Sequence, residues 1–159
     1  MTDEVPSNPY QAAAWLRSRH QWLDQLVTRV CGPDDGSERG SEWVEAIVGG
    51  FNDIYETGLR WEEYERTTPE PRDRDDDNAF YRWQDAGPQY ATDAAKAMAP
   101  MSSGELRVLR LVTTLSRDGY GQRCRTGWLV DDVDFDERGA AIVEDWIAVV
   151  RAQLTALQH

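Results

Sequence analysis

The chain has 159 residues, 40 % hydrophobic and 29 % charged, and its 29 acidic against 17 basic residues give a formal charge of −12. That length fits one domain with a sizeable core, and the seven Trp, six Tyr and three Phe set it apart from aromatic-poor disordered chains. The charge counts against nucleic acid and anionic lipid as direct ligands and favours a cationic partner.

Residues 1–8 read as a polar lead-in without the basic and apolar regions of a secretory leader. The longest apolar runs, 12–16 and 146–150, are too short to span a bilayer. A cytoplasmic protein with reduced thiols is the expectation. Asn8 followed by Pro9 starts a helix: a capping side chain, then a proline whose missing N–H costs nothing there. Gly32-Pro33 stops it after Cys31. Its apolar stripe is Ala12, Trp15, Leu16, Trp22, Leu23, Leu26, Val27 and Val30, interrupted at Arg19. On this reading Trp15 and Trp22 share one helix face, with core packing as their expected role.

Residues 32–40 are turn chemistry. Ser41 can cap a second helix with Val44, Ile47, Val48, Phe51, Ile54 and Tyr55 on one face. Gly49 and Gly50 each weaken it by about 1 kcal/mol relative to Ala, which suggests a close helix crossing or a kink. Gly58 is the expected end, with 59–66 as an extension or an irregular arm bearing Trp61 and Tyr64. Residues 67–78 form an acidic loop with two prolines. Asp77 or Asn78 then caps a short helix carrying Phe80, Tyr81 and Trp83 and ending near Gly87-Pro88. A further segment covers 89–97 and stops before Pro100.

Ser102 and Glu105 have the form of a capping box. The helix behind them carries Leu106, Val108, Leu109, Leu111, Val112 and Leu115, apolar over more than half its circumference, and is expected at the centre of the fold. Gly119 and Gly121 end it. Trp128, Leu129 and Val130 read as one short strand or a buried loop. Asp134 with Glu137 resembles a second capping box, ahead of a last helix presenting Ala140, Val143, Trp146, Ile147, Val150, Leu154 and Leu157. The expected architecture is one all-α domain over 1–159, a bundle of about five helices. The alternative is a mainly α fold with a strand or hairpin near 122–131.

Charge is unevenly placed. Residues 62–78 hold eight acids against three arginines, and 131–138 hold five acids against Arg138. Between them, 105–127 carry five arginines against two acids. Arg107, Arg110 and Arg117 fall on one helix face. The simple reading pairs this band with the acidic blocks or a neighbouring subunit. The sharper one is an anion site in which Arg117, Arg123 and Arg125 and the turn at Gly119–Gly121 hold a phosphate or carboxylate.

No cofactor, metal or catalytic motif emerges. Asp73, Asp75 and Asp77 alternate, as do Asp132, Asp134 and Asp136, yet neither set has the glycine and final carboxylate of a calcium loop. His20 and Cys31, on one helix, would stand about 16 Å apart along its axis, beyond the reach of a dyad. Cys124, between Arg123 and Arg125, is the better placed thiol, and a structural or incidental role is expected for both cysteines. Asp53 with Glu56, and Glu62 with Glu65, lie one turn apart as acid–base pairs, but such pairs arise by chance in so acidic a chain.

The function expected from this pattern is a small interaction protein: an accessory subunit, adaptor or inhibitor engaging a more basic protein. Its candidate surface is Trp61, Tyr64, Tyr81 and Trp83 around Asp73, Asp75, Asp76 and Asp77, with aromatics anchoring and acids steering approach. The alternative is an enzyme or ligand-binding protein with a pocket between helices, and a lesser one is a nucleic-acid mimic whose carboxylates imitate a phosphate track. No membrane contact is expected. A homodimer would fit apolar helix faces that exceed what one small bundle covers.

Overall fold

The computed structural model describes residues 4–33, 42–72, 77–115 and 136–158, and among them all regular structure is helical. In chain order the helices are α1 (Pro9–Arg19), α2 (Gln21–Cys31), α3 (Glu42–Thr67), α4 (Asp77–Ala86), α5 (Asp93–Met98), α6 (Ser103–Thr113) and α7 (Glu137–Leu157). The all-α expectation holds. The turn at Gly119–Gly121 and the strand or loop expected over 122–133 lie outside the described residues. None of the described helices is long and apolar enough to cross a membrane.

The single helix expected from Pro9 to Cys31 is two. His20 adopts an extended backbone, φ −123° and ψ 103°, between α1 and α2. The break sets the two apolar stripes against each other, and Arg17 fastens the fold-back. Its guanidinium is 2 % exposed. Nε donates to Asp24 Oδ1 at 2.6 Å, and Nη2 donates to Thr28 Oγ1 at 3.1 Å and to the Gly32 carbonyl at 3.0 Å. One buried cation thereby ties the end of α1 to the whole length of α2. Gly32 closes α2 with φ +86°, a left-handed backbone that glycine adopts without a Cβ penalty. Trp15 and Trp22 accordingly sit on different helices, both partly buried against the core.

α3 also departs from expectation. It runs unbroken through Gly58 to Thr67. Its buried face is Trp43, Val44, Ile47, Val48 and Phe51, ending at Asp53 and Thr57. Gly50 serves as a close crossing: a Cβ there would meet Met98 Sδ at 2.6 Å and Ala94 Cβ at 3.2 Å, so α5 lies against bare backbone. Gly49 has open space around it and merely continues the helix.

α6 occupies the centre, packed against α2, α3 and α7, with Val108, Leu109, Leu111 and Val112 buried. Its capping box is complete: the Glu105 N–H donates to Ser102 Oγ at 3.2 Å, and the Ser102 N–H donates to Glu105 Oε1 at 3.0 Å. Glu105 also accepts from Arg29 Nη1 at 2.9 Å, which binds α2 to the start of α6.

α7 begins later than expected. Asp136, not Asp134, is the N-cap, accepting from the Gly139 N–H at 3.0 Å. Its buried face is Gly139, Ile142 and Val149, with Trp146 partly buried, whereas Ala140, Ile147, Leu154 and Leu157 are exposed. Trp146 Nε1 donates to Thr114 Oγ1 at 2.9 Å. Asp145 holds the α1–α2 junction, accepting from Arg19 Nε at 3.0 Å and lying 2.7 Å from His20 Nε2.

Candidate interaction surface

The second half of α3 leaves the core. Beyond Thr57 every side chain of this helix is exposed except Trp61 and Tyr64, which are half-buried. These two point to the same side and receive α4. Trp61 stands edge-on to Tyr64 and to Trp83, with centroids 5.3 and 5.6 Å apart, and Tyr64 lies 5.4 Å from Trp83. Phe80 adds a fourth ring, 6.0 Å from Trp83. Such offset and edge contacts are the favoured aromatic geometries.

The polar ends of Tyr64 and Trp83 are also satisfied. Tyr64 Oη donates to the Trp83 carbonyl at 2.6 Å, and Trp83 Nε1 donates to the Thr68 carbonyl at 2.6 Å. Gly87 is buried, and a Cβ on it would overlap the six-membered ring of Trp61. The outer half of α3 and the whole of α4 thus form an arm stapled by aromatic rings.

Of the residues singled out in the sequence, Trp61, Tyr64 and Trp83 are brought together, with their faces turned largely on one another. Tyr81 is 58 % exposed and stacks edge-on to Phe80 at 5.7 Å. Asp73, Asp75 and Asp76, the side chain of Asp77, and the anion-site arginines Arg117, Arg123 and Arg125 lie outside the described residues. So do Cys124 and the alternating set at Asp132 and Asp134.

The arm's opposite face carries what periodicity misplaced. Tyr55, expected in the core, is 68 % exposed, and Leu59 one turn on is 48 % exposed. Glu56, Glu62 and Glu63 surround them, all exposed. Glu63 receives Arg66 at both carboxylate oxygens, at 2.5 and 3.2 Å. Glu56 and Glu62 stand without an ion pair among the described residues. Arg60 turns the other way, to Thr57 Oγ1 at 3.1 Å and toward Asp53.

Neither carboxylate pair, set down above to chance, shares a sheltered site. Asp53 is 6 % exposed while Glu56 is in solvent, and Glu62 and Glu65 are both exposed. Asp53 does structural work. Its Oδ2 accepts from the N–H groups of Ala91 and Thr92 and from the Thr92 hydroxyl, each at 2.9 Å, and Oδ1 accepts from the Thr57 hydroxyl at 3.2 Å. Burial pushes its carboxyl up, but the hydrogen bonds from Thr92, Thr57 and Ala91 outweigh burial and hold it below its ordinary value.

Cys31 and His20 form no dyad. The Cys31 thiol donates to the Trp43 carbonyl at 3.7 Å, while His20 meets Asp145. Burial raises the thiol to about 11 against a smaller lowering by Arg17, so it is protonated and a poor nucleophile at neutral pH. Among the described residues no three His, Cys, Asp or Glu side chains converge as metal ligands. No family model matches the chain, and neither a curated protein nor a solved structure does.

Proposed function

We propose that this chain is a small acidic interaction protein, an accessory subunit, adaptor or inhibitor, that binds a more basic protein through its α3–α4 arm. A cytoplasmic setting with reduced thiols accompanies that reading. The observation that carries it is the division of labour on the arm. One side of outer α3 is committed to holding α4. The other presents carboxylates and two large apolar side chains to solvent. Residues 54–86 carry ten acids against five arginines, a bias that steers cationic partners and repels anionic ones.

A second point favours interaction over catalysis. The buried polar groups that would attract an enzymatic reading, Asp53 and Arg17, use their hydrogen-bonding capacity inside the fold. The test is retrieval of partners from the native cell at low and moderate salt, by the wild-type chain and by a variant with Glu56, Glu62, Glu63, Glu65 and Glu70 changed to Gln. The expected result is a basic protein retained by the wild type and lost from the variant. Equal retention by both would overturn the reading.

A further inference from the structure

The face of α3 turned away from α4 is an apolar pair set among carboxylates, two of which, Glu56 and Glu62, have no ion pair among the described residues. Tyr55, Leu59, Glu62 and Arg66 recur at steps of four, three and four, one row along a helix turning about 100° per residue. Glu56 and Glu63 form a parallel row beside it. α4 packs on Trp61 and Tyr64, roughly the opposite side of the helix, so it leaves Tyr55 and Leu59 uncovered. Within this face the Glu63–Arg66 pair cancels, which leaves Glu56 and Glu62 as the net charge.

We infer that this face is the anchor of the proposed interaction, and that its occupant is a cationic amphipathic helix laying an apolar side chain between Tyr55 and Leu59, with Lys or Arg toward Glu56 and Glu62. The inference rests on the reading above and adds the partner's chemistry. Charge complementarity selects this occupant. A second copy docked by a two-fold axis would crowd Glu56 and Glu62 against their own equivalents, and like charges in a desolvating contact repel. A purely polybasic segment would satisfy the carboxylates but leave Tyr55 and Leu59 wet. An apolar ridge flanked by cations satisfies both, as in helix-on-surface recognition generally.

The test uses the full chain and two synthetic peptides of equal charge, titrated by fluorescence anisotropy. One is an amphipathic leucine–lysine helix of about four turns; the other has every leucine replaced by serine. The expected result is that the leucine peptide binds about tenfold tighter or more. The Y55S/L59S variant should erase that advantage while E56Q/E62Q weakens both peptides, and L154S/L157S, on the exposed end of α7, should leave both unchanged. All six positions are exposed, and circular dichroism checks that each variant folds. Equal binding of the two peptides, or an advantage lost only in L154S/L157S, overturns the inference while leaving the acidic reading standing. Binding of neither peptide removes both. A wild-type dimer that Y55S/L59S dissociates in sedimentation would make a second copy the occupant and likewise overturn it.

Discussion

The hydroxyl of Thr92 faces two ways because of Asp53. It donates to Asp53 Oδ2 at 2.9 Å and accepts from the Ala95 N–H at 3.1 Å, so the N-cap of the six-residue helix α5 is held by a buried carboxylate of α3. So short a helix has little stability of its own. Asp53→Ala strands the N–H groups of Ala91 and Thr92 and the Thr92 hydroxyl, and the expected cost is about 3 kcal/mol. Asp53→Asn keeps one acceptor and should cost about half as much. Urea titration of the two variants checks the order.

Acid should weaken the fold through identifiable carboxylates. Asp53 is held low as described. Glu105 is held low chiefly by the Ser102 N–H, with the Ser102 hydroxyl and Arg29 adding to it. Asp136 is held low first by the Gly139 N–H and then by Arg138. In each case the unfolded chain binds the proton more readily than the native one. Their contribution is therefore complete above about pH 4.5 and is lost as pH falls through the native values. A thermal series from pH 7 to pH 3 should show a flat region, then a steep fall, and Asp53→Asn should make the fall shallower.

The glycines divide cleanly. At Gly87 a Cβ would run into the Trp61 ring, a rigid neighbour, whereas at Gly58 it would meet nothing within 4 Å. Gly87→Ala is expected to lift α4 off α3 and expose the aromatic staple, seen as red-shifted tryptophan emission with the rest of the fold intact. Gly58→Ala, in an exposed stretch of α3, should stabilise the protein by about 1 kcal/mol. Both are read by thermal melting followed at two wavelengths.

Local signals carried most of the helices. Asn8, whose Oδ1 accepts from the Gln11 N–H, and the Ser102–Glu105 box are short-range devices, and short-range chemistry is visible in one dimension. What failed was decided by packing at a distance. Nothing local marks His20 as a break. The break exists because Arg17 reaches Asp24, Thr28 and Gly32 only when α2 folds back. Gly58 looked like a stop because propensity costs are local, but α4 supplies tertiary support to the outer half of α3. Tyr55 was misplaced because its row along α3, still buried at Val48 seven residues earlier, is uncovered from Tyr55 onward while Asp53 and Thr57 on the other side stay buried, and periodicity cannot tell where a partner ends. Asp53 and Arg17 did leave a trace. Each stands one turn from buried neighbours, Asp53 between Gly50 and Thr57 and Arg17 after Ala13, and a charge on an apolar stripe signals a buried, paired group.

Arg17 should be among the costliest polar residues to remove. Its guanidinium also lies 5.4 Å from the centroid of the Trp43 ring, so its removal takes packing as well as hydrogen bonds. Arg17→Met keeps an unbranched stem but leaves the Gly32 carbonyl and Thr28 without their donor. The expected loss is about 3 kcal/mol. Asp24→Asn keeps an acceptor but takes the counter-ion from the buried Arg17 cation; because Asp24 is itself about half exposed at 48 %, the cost should be smaller, about 1–2 kcal/mol. Chemical denaturation of both variants separates the two effects.

The buried thiol offers a probe of how α2 is seated. Cys31 sits at the end of α2, bonded to the Trp43 carbonyl of α3, with its thiol raised from 9.0 to about 11. Two units mean about a hundredfold less thiolate at pH 8 than for an ordinary cysteine. In a Cys124→Ser chain, iodoacetamide should label Cys31 about a hundred times more slowly in the native state than in urea. The native rate should keep climbing with pH, without a plateau below about 11. Urea added below the unfolding transition should not raise the rate if α2 and α3 open only together. A native rate equal to the unfolded one would mean that the end of α2 is detached from Trp43 in solution, and the Arg17 clamp with it.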